Sequence, residues 1–594
     1  MAKLSRFRFL LLIFVVATLG LVACSPQAPE ASDTETVIQT VEVTRIVEGE
    51  VVTEVETIEV TRVVVEEVVV EATAESEEET GTVAEEDKYG GTLNVGYSQD
   101  LTSLDPPKAW STMDWGTAAQ LLYNRVYTFD AENNLVPDLA VEMPDISDDG
   151  TVYTVSLKEG VLFHNGRELV AEDVKYSLER NARPDSGTWN ATSPLSNIVG
   201  GQAVIDGEAE TAEGIRVVDD QTIEFTLVEP DAYFVHGLTL ITNSIVPSEV
   251  VEEFGEDFSF NPVGTGPFQL VEWVPGERLE FARFDDYFEE GKPYLDGIVY
   301  EVGADPGVYL LRFERGEMDV VADGLPAADI ARVASDPAMG ELFMNTNTYL
   351  TGFLAFNTAT PPFDNPDVRK ALAMAIDRDR LLQFSANAAT ITYDWYPPSH
   401  YNCTAGDDDP LYTYDPEAAR QLLADAGYPD GFQVESWFRV IRPWLDRIPE
   451  AVQQDLAAIG VDVELLQLET SVASEMVDNH EMPMFMQAWG SSFPDPFNFA
   501  TEIFQTGSVY AERLNYSNPE VDALVAEARQ NTDPESRCEQ WLQAQELVMQ
   551  DLPAVPLLVA GYPDVRSPRI EDFCYNHTYH RPCYADIWIA PENR

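Results

Sequence analysis

The chain has 594 residues, 45% of them hydrophobic and 10% aromatic, which is typical of a globular protein long enough for more than one core. Its 104 acidic residues outnumber 35 Lys and Arg, so the formal net charge is −69, and the basic residues are widely scattered. This charge excludes a basic surface for nucleic acid and indicates a solubilising acidic one, although a saline habitat or a cationic ligand would also suit it.

The N-terminus has the pattern of a secretory signal. A basic head precedes an apolar run from Phe9 to Val16, which is too short to span a bilayer comfortably. The run Leu21 to Cys24 (L-V-A-C) resembles the lipobox at which bacterial lipoproteins are cleaved and acylated on sulfur. We therefore expect a signal peptide over residues 1–23 and a lipid anchor at Cys24, outside the cytoplasm in a periplasm-like space. The alternative is an ordinary signal peptide with an incidental cysteine.

Residues 24–88 are expected to form an acidic low-complexity spacer behind the anchor. Between Ser25 and Lys88 there is no aromatic residue, and 19 acidic residues oppose 3 basic ones. The stretch Gln39 to Val47 is nearly repeated at Glu56 to Val64, with Thr, Val and Glu alternating. The like charges predict an extended, solvated segment, whereas the period of two also permits a β-structured stalk that pairs with another chain.

The folded body is predicted to begin near Tyr89, where two glycines precede a strand pattern from Thr92 to Tyr97. Further strands with alternating polar and apolar residues are predicted at Thr151 to Leu157, Thr222 to Leu227 and Arg278 to Phe284. Strands and helices mix along the chain, which favours an α/β fold with sheets.

Three helices of the later half have a clear start signal. In each, a capping residue is followed by proline, at Asn365-Pro366, Asp415-Pro416 and Asn518-Pro519. Apolar residues then recur at helical spacing, which predicts that these faces belong to the core.

Four cysteines remain after Cys24, and an even number outside the cytoplasm favours two disulfides with three possible connectivities. We favour Cys574 with Cys583, because their separation suits a local loop, which leaves Cys403 for Cys538. The pattern C-x-x-H-x-x-H-x-x-C over residues 574–583 also offers four zinc ligands, but its spacing is unusual and no metal is expected.

Four segments in order resemble extracytoplasmic solute-binding proteins of family 5, the dipeptide, oligopeptide and nickel receptors of ATP-driven importers. The most specific runs from Tyr153 to Arg180, with Lys-Glu-Gly, Phe-His-x-Gly and then Ala-Glu-Asp-Val opening a helix. The others are Asn261 to Phe268, Phe356 to Leu372 and Asp415 to Leu423. The likeness extends from about residue 89 to the C-terminus.

The resemblance implies a type II periplasmic-binding fold of mixed α/β structure, with two lobes and an extra subdomain, similar to cluster C. It implies a solute-binding domain over 89–594, with lobe I at about 89–345 and about 553–594, and lobe II at about 346–552. The inserted subdomain is expected at about 128–240. Such a receptor closes on its solute and docks, as a monomer, on the permease subunits of an ABC importer with their ATPases.

In peptide-binding members, a segment Trp-x-x-Asp-x-x-(Asp or Glu)-Pro lines the cleft, and its first Asp pairs with the peptide α-ammonium. Here the segment begins at Trp489, and Ser492 stands in the position of that Asp. A hydroxyl brings no charge, so a free peptide N-terminus would lack its partner unless Asp495 supplies one. Trp489 and Phe493 are expected to provide apolar walls, although ordinary core aromatics give the same pattern.

By the same resemblance, Leu104, Tyr349 and Asn357 fall in segments that border the cleft. The expected solute is peptide-like, with an oligosaccharide as the alternative. An anchored hydrolase is the remote alternative, because the sequence has no G-x-S-x-G or H-E-x-x-H motif and no P-loop. No cofactor and no enzymatic activity are expected.

Overall fold

The computed structural model describes residues 34–47 and 50–63, and residues 85–594 except 110–115, 117–120, 189–193, 323, 397–402, 405–410, 439–444 and 579–580. The predicted signal peptide and Cys24 lie outside the described residues. Of the helices that the structure describes, none combines the length and the apolar character needed to cross a membrane.

Two strands within the predicted spacer pair with each other. β1 (Thr34–Val47) and β2 (Glu50–Val63) run antiparallel, with Thr34 opposite Val63. The near-repeat supplies two stretches with the period of a strand, and in this structure each pairs with the other rather than with another chain. The two described strands of this segment therefore pair as in a β-hairpin, where its charge alone predicts an extended, solvated segment.

The other strands and the α-helices lie in the body of the chain. The strands are β3 (Thr92–Tyr97), β4 (Tyr127–Phe129), β5 (Leu135–Pro137), β6 (Asp145–Ile146), β7 (Val152–Ser156), β8 (Ile215–Asp219), β9 (Thr222–Thr226), β10 (Phe268–Val274), β11 (Arg278–Arg283), β12 (Gly297–Val302), β13 (Val320–Val321), β14 (Phe343–Phe356), β15 (Ala389–Ile391), β16 (Phe432–Phe438), β17 (Val461–Leu466), β18 (Met484–Gly490), β19 (Ala554–Arg566), β20 (Ile570–Glu571), β21 (Tyr575–Asn576), β22 (Arg581–Pro582) and β23 (Trp588–Ile589). The described helices are α1 (Ala171–Ala182), α2 (Gly201–Ile205), α3 (Phe234–Gly237), α4 (Ser248–Phe254), α5 (Pro306–Phe313), α6 (Ala327–Ser335), α7 (Pro366–Ala375), α8 (Arg378–Phe384), α9 (Pro416–Asp425), α10 (Ile448–Ala458), α11 (Thr470–Asp478), α12 (Phe497–Phe499), α13 (Val509–Leu514), α14 (Pro519–Gln530) and α15 (Pro534–Asp551).

An eleven-stranded mixed sheet runs through the body, in the order β10-β11-β12-β3-β13-β19-β14-β18-β16-β17, with β15 added to β19. β3 is parallel to β12 and β13, and β16 is parallel to β17 and β18. We call the part with β3 and β10–β13 lobe I and the part with β14 and β16–β18 lobe II. The long strands β14 and β19 are antiparallel neighbours and join the two parts.

The pairing of β14 with β19 is interrupted near its middle. Its register shifts between Asn347 and Thr351. There the Thr348 hydroxyl donates to the Ala560 carbonyl at 2.9 Å, and the Leu350 amide donates to the Thr348 hydroxyl at 3.1 Å. An irregularity of this kind lets a strand bend while it keeps its neighbours.

A separate four-stranded antiparallel sheet, β6-β7-β9-β8, carries helix α1 and forms what we call the subdomain. The start of α1 explains the Ala-Glu-Asp-Val motif, since the Asp173 carboxylate accepts the Val170 amide at 2.9 Å. The same carboxylate pairs with Arg167 at 2.6 Å. The hydrogen bond from the Val170 amide and the ion pair with Arg167 together therefore fix the start of α1.

His164 of the Phe-His-x-Gly motif connects the subdomain to the Gly-Thr-Gly run. Its Nδ1 accepts from the Gly264 amide at 3.3 Å, and its Nε2 lies 3.0 Å from the Gly266 carbonyl. A Cβ on Gly264 would come within 2.0 Å of the Leu122 carbonyl oxygen, so only glycine permits this approach. Burial lowers the pKa of His164 to about 4, and the ring is a neutral structural link.

The three helices predicted from their start signals are confirmed. Asn365, Asp415 and Asn518 accept hydrogen bonds from amides two or three residues ahead, at 3.0, 2.9 and 3.0 Å. The inward faces pack in one large core of lobe II, while lobe I and the subdomain have cores of their own. The strands predicted after Tyr89 are also present, within two residues of the expected ends.

Candidate functional site

The segment that begins at Trp489 forms a compact loop between β18 and α12. The Ser491 hydroxyl donates to the Phe493 carbonyl at 2.6 Å, and the buried Asn498 side chain accepts the Ser492 amide at 2.9 Å. The Phe497 amide donates to Asp495 Oδ1 at 2.9 Å. These local bonds explain why the segment is rich in short polar residues and proline.

Asp495 faces a tyrosine from the subdomain. Burial raises the pKa of Asp495, whereas hydrogen bonds from the Phe497 amide and the Tyr233 hydroxyl, with the charge of Arg537, favour its ionised form. The guanidinium of Arg537 also lies 5.2 Å from the centre of the Tyr233 ring. The Asp495 carboxylate is thus already engaged by the protein.

Tyr233 packs between the subdomain and lobe II. Its ring stacks on Phe497 at 4.1 Å, and its hydroxyl accepts from Trp541 Nε1 at 2.9 Å. Phe493 lies parallel to the same ring at 6.4 Å and 5.3 Å from His236. An aromatic cluster therefore connects the subdomain to lobe II beside Asp495.

An ion pair makes a second connection. Arg529 of α14 contacts the buried carboxylate of Asp231 at 2.8 Å, and the Ala232 amide donates to the Arg529 carbonyl at 2.9 Å. Removing the charge of Arg529 would leave the buried carboxylate of Asp231 without its counter-charge.

Between these contacts lies a cleft of about 410 Å³. This volume is within the usual range for small-molecule sites, and the lining mixes aromatic rings with a few charged and polar groups. Its lining includes Asp231, Tyr233, Phe497, Glu502 and Arg529.

Of the predicted site residues, Tyr349 lies beside the Trp489 segment, since its carbonyl accepts from the Ser491 amide at 3.3 Å. Its buried hydroxyl is hydrogen-bonded to Thr578 and Asn133, and burial raises its pKa. Trp489 is partly buried and contacts the Phe499 ring edge-on at 4.9 Å.

Of the seven predicted site residues, the lining of this cleft includes Phe493 but not Trp489, Ser492, Asp495, Tyr349, Asn357 or Leu104. Leu104 is fully buried in the core of lobe I, where its carbonyl accepts from the Tyr123 hydroxyl at 2.8 Å. Asn357 follows β14, roughly 26 Å along the strand direction from Tyr349. Its side-chain oxygen accepts from Asn515 at 2.8 Å within lobe II.

The disulfides pair Cys403 with Cys538 and Cys574 with Cys583, each with a Cα–Cα distance of 5.5 Å, which is the connectivity favoured from the spacing. The sulfurs of Cys574 and Cys583 lie with an Asp586 oxygen within 4.8 Å of one another. Because both sulfurs are committed to a disulfide, they offer no thiolate to zinc. The last histidine of that motif lies outside the described residues.

Sequence reasoning missed the residues that the subdomain contributes, because no local pattern separates them from core aromatics. Burial lowers the pKa of His236 to about 3, and its Nδ1 is buried without a partner among the described residues. Tyr233 and His236 meet the Trp489 segment only because the subdomain packs on lobe II.

Comparisons with known proteins agree with this architecture. The chain matches the family described as bacterial extracellular solute-binding proteins, family 5 middle, over residues 134–511. It is 28% identical to the glutathione-binding protein GsiB of Salmonella paratyphi A over 488 residues, covering 81% of this chain and 91% of the relative. It is 30% identical to the dipeptide-binding protein of Escherichia coli over 470 residues, covering 75% and 84%.

The solved structure of HbpA2 from Haemophilus parasuis matches with a TM-score of 0.70 and 26% identity, over 84% of this chain and 100% of that chain. The fold of the body thus has a known counterpart. Motifs, relatives and fold together show that this chain belongs to the bacterial extracellular solute-binding proteins of family 5, with the periplasmic-binding-protein fold of that family.

Proposed function

We propose that this chain is the substrate-binding lipoprotein of an ABC importer, which captures a peptide-like solute outside the cytoplasm and delivers it to a permease. The observation that carries the proposal is the cleft of about 410 Å³ between the subdomain and lobe II. Its stacked rings suit the apolar parts of a solute, and its polar groups suit amides.

Strands β14 and β19 supply the hinge in this proposal, and the register shift near Thr348 is where they would bend. Closing the lobes removes water from the solute and strengthens each hydrogen bond that it makes. The solute stabilises the closed state by its higher affinity for that state. A permease that recognises the closed shape then receives loaded receptors.

The lobe limits expected from the sequence belong to the same proposal. The proposed limits are about 89–345 and 553–594 for lobe I, about 346–552 for lobe II and about 128–240 for the subdomain. Three buried clusters support the division into two lobes and a subdomain, and the cluster of lobe II also includes Tyr233 and the start of β19 from Ala554 to Leu558. The anchor at Cys24 and the removal of residues 1–23 are also proposed, on the sequence pattern alone.

A peptide-like solute is favoured by the relatives, one named for dipeptides and one for glutathione. Ser492 carries no charge, and Asp495 is held by Tyr233 and Phe497. We therefore propose that recognition does not depend on a free peptide N-terminus. An oligosaccharide is the second candidate, because aromatic rings also bind the faces of sugars.

Titration calorimetry on protein freed of bound solute tests the proposal with Ala-Ala-Ala, N-acetyl-Ala-Ala-Ala and maltotriose. Similar affinity for both peptides is the expected result. Binding of maltotriose alone would favour the second candidate, and binding of the free-amine peptide alone would contradict our interpretation of Ser492.

The variant Ser492→Asp gives a sharper test. A carboxylate at this position is expected to strengthen binding of Ala-Ala-Ala about tenfold relative to its acetylated form, since a charged hydrogen bond contributes about this much. Ser335→Asp, at an exposed helix end, controls for added charge. An unchanged ratio of the two affinities would show that position 492 does not face the peptide N-terminus.

A further inference from the structure

The cleft contains a carboxylate that no described residue neutralises. Its charged lining residues are Asp231, Glu502 and Arg529. Asp231 and Arg529 pair with each other at 2.8 Å. Among the described residues, Glu502 has neither a hydrogen bond from its side chain nor an ion pair, so the described lining has one uncompensated negative charge.

The backbone holds Glu502 at the cleft through an unusual turn. Residues Ala500–Phe504 form a π-helical turn, closed by the Gln505 amide, which donates to the Ala500 carbonyl at 2.9 Å. Ile503 and Phe504 of this turn are buried in the core of lobe II. π-Helical turns are rare and occur frequently at functional sites.

Burial raises the pKa of Glu502, and desolvation is the cause. A half-buried carboxylate in this position is less hydrated than one on the open surface, and no described residue supplies a partner to compensate. A cation that enters the cleft would supply the missing partner, whereas a second anion would meet repulsion.

The aromatic side of the cleft suits the rest of such a ligand. Tyr233 and Phe497 present stacked rings, and the methylene groups of a long cationic side chain pack readily on rings of this kind. A cleft of about 410 Å³ accommodates a lysine or arginine side chain together with part of a neighbouring residue.

We propose that this cleft is a subsite for a cationic side chain of the bound solute, with Glu502 as the countercharge and the rings of Tyr233 and Phe497 against the aliphatic stem. This inference rests on the proposed function and specifies its solute as a peptide-like molecule that carries an ammonium or guanidinium group. The cationic group of the solute is therefore bound by Glu502, and Ser492 contributes no charge to the site.

The test compares Ala-Lys-Ala with Ala-norleucine-Ala by titration calorimetry on the full chain. The wild type is expected to bind the lysine peptide at least about tenfold more tightly. Glu502→Gln is expected to remove this preference, and it keeps the shape of the side chain, so folding is preserved. Glu527→Gln, exposed on α14, is the matched control and retains the preference.

Equal affinities in the wild type, or a preference that persists in Glu502→Gln, would overturn the subsite while peptide binding stands. If neither peptide binds, thermal shifts with cadaverine decide between the two proposals. A shift in the wild type that Glu502→Gln abolishes would support the cationic subsite and refute the peptide-like solute. No shift in the wild type would overturn both.

Discussion

Replacing Tyr233 by phenylalanine removes one hydroxyl and keeps the ring that stacks on Phe497 at 4.1 Å. The hydroxyl accepts from Trp541 Nε1 at 2.9 Å and donates to Asp495. Trp541 is 1% exposed, so its N–H would remain buried without a partner, at a cost of about 1–3 kcal/mol. We take about 2 kcal/mol as the weakening of the contact between subdomain and lobe II.

If this contact forms as the lobes close, about 2 kcal/mol corresponds to a loss of about 30-fold in solute affinity. Titration calorimetry measures the affinity, and urea unfolding of the ligand-free protein measures stability. Tyr516→Phe is the matched control, because the Tyr516 hydroxyl donates to Asp551 at 2.9 Å within lobe II. That variant is expected to lose stability and keep its affinity. If Tyr233→Phe also loses only stability, the contact exists in both states and the reasoning is refuted.

Two further predictions concern stability. Burial holds the pKa of His164 at about 4, against 6.5 for an ordinary histidine. Between about pH 6.5 and pH 4, this histidine is therefore protonated in the unfolded chain and neutral in the folded chain. The stabilisation, at most about 3 kcal/mol, is complete above pH 6.5 and is lost as the pH falls toward 4. Urea titrations at pH 7 and pH 4.5 should show this loss in the wild type and in the exposed control His480→Gln, and a smaller one in His164→Gln. Replacing Cys574 and Cys583 together by serine is expected to lower the free energy of unfolding by about 2–3 kcal/mol. The reason is that the unfolded chain gains conformational entropy when this short loop is no longer closed. An unchanged urea midpoint would show that this disulfide does not stabilise the fold.

Local features of the fold were predictable because their causes lie within a few residues. Asn518 caps its helix through an amide two residues ahead, and Asp173 caps α1 through an amide three residues behind. The family motif owes its form to such contacts and to the close approach that Gly264 permits.

The spacer shows the limit of an argument from charge. Its acidic residues predict an extended segment, yet β1 and β2 pair along their whole length. The alternation of side chains along this segment favours strand pairing, and repulsion between its acidic residues does not prevent that pairing.

The site was predictable only in part. The motif predicts the loop from Trp489 to Asp495 as part of the site, and this stays a prediction; of the loop, Phe493 lines the cleft. The partners of Asp495 were not predicted. Tyr233 and Trp541 are 308 residues apart in the chain and meet through packing of the subdomain on lobe II. No periodicity or spacing in the sequence predicts that contact between Tyr233 and Trp541.

The family and the starts of the three helices capped by Asn365, Asp415 and Asn518 follow from residues that are neighbours in the chain, so the sequence is sufficient for them. The engagement of Asp495 and the placement of Glu502 in a cleft follow from tertiary packing. The physical reason is that the charge of a carboxylate is a property of the residue, whereas its partners and its exposure to water are properties of the folded surroundings.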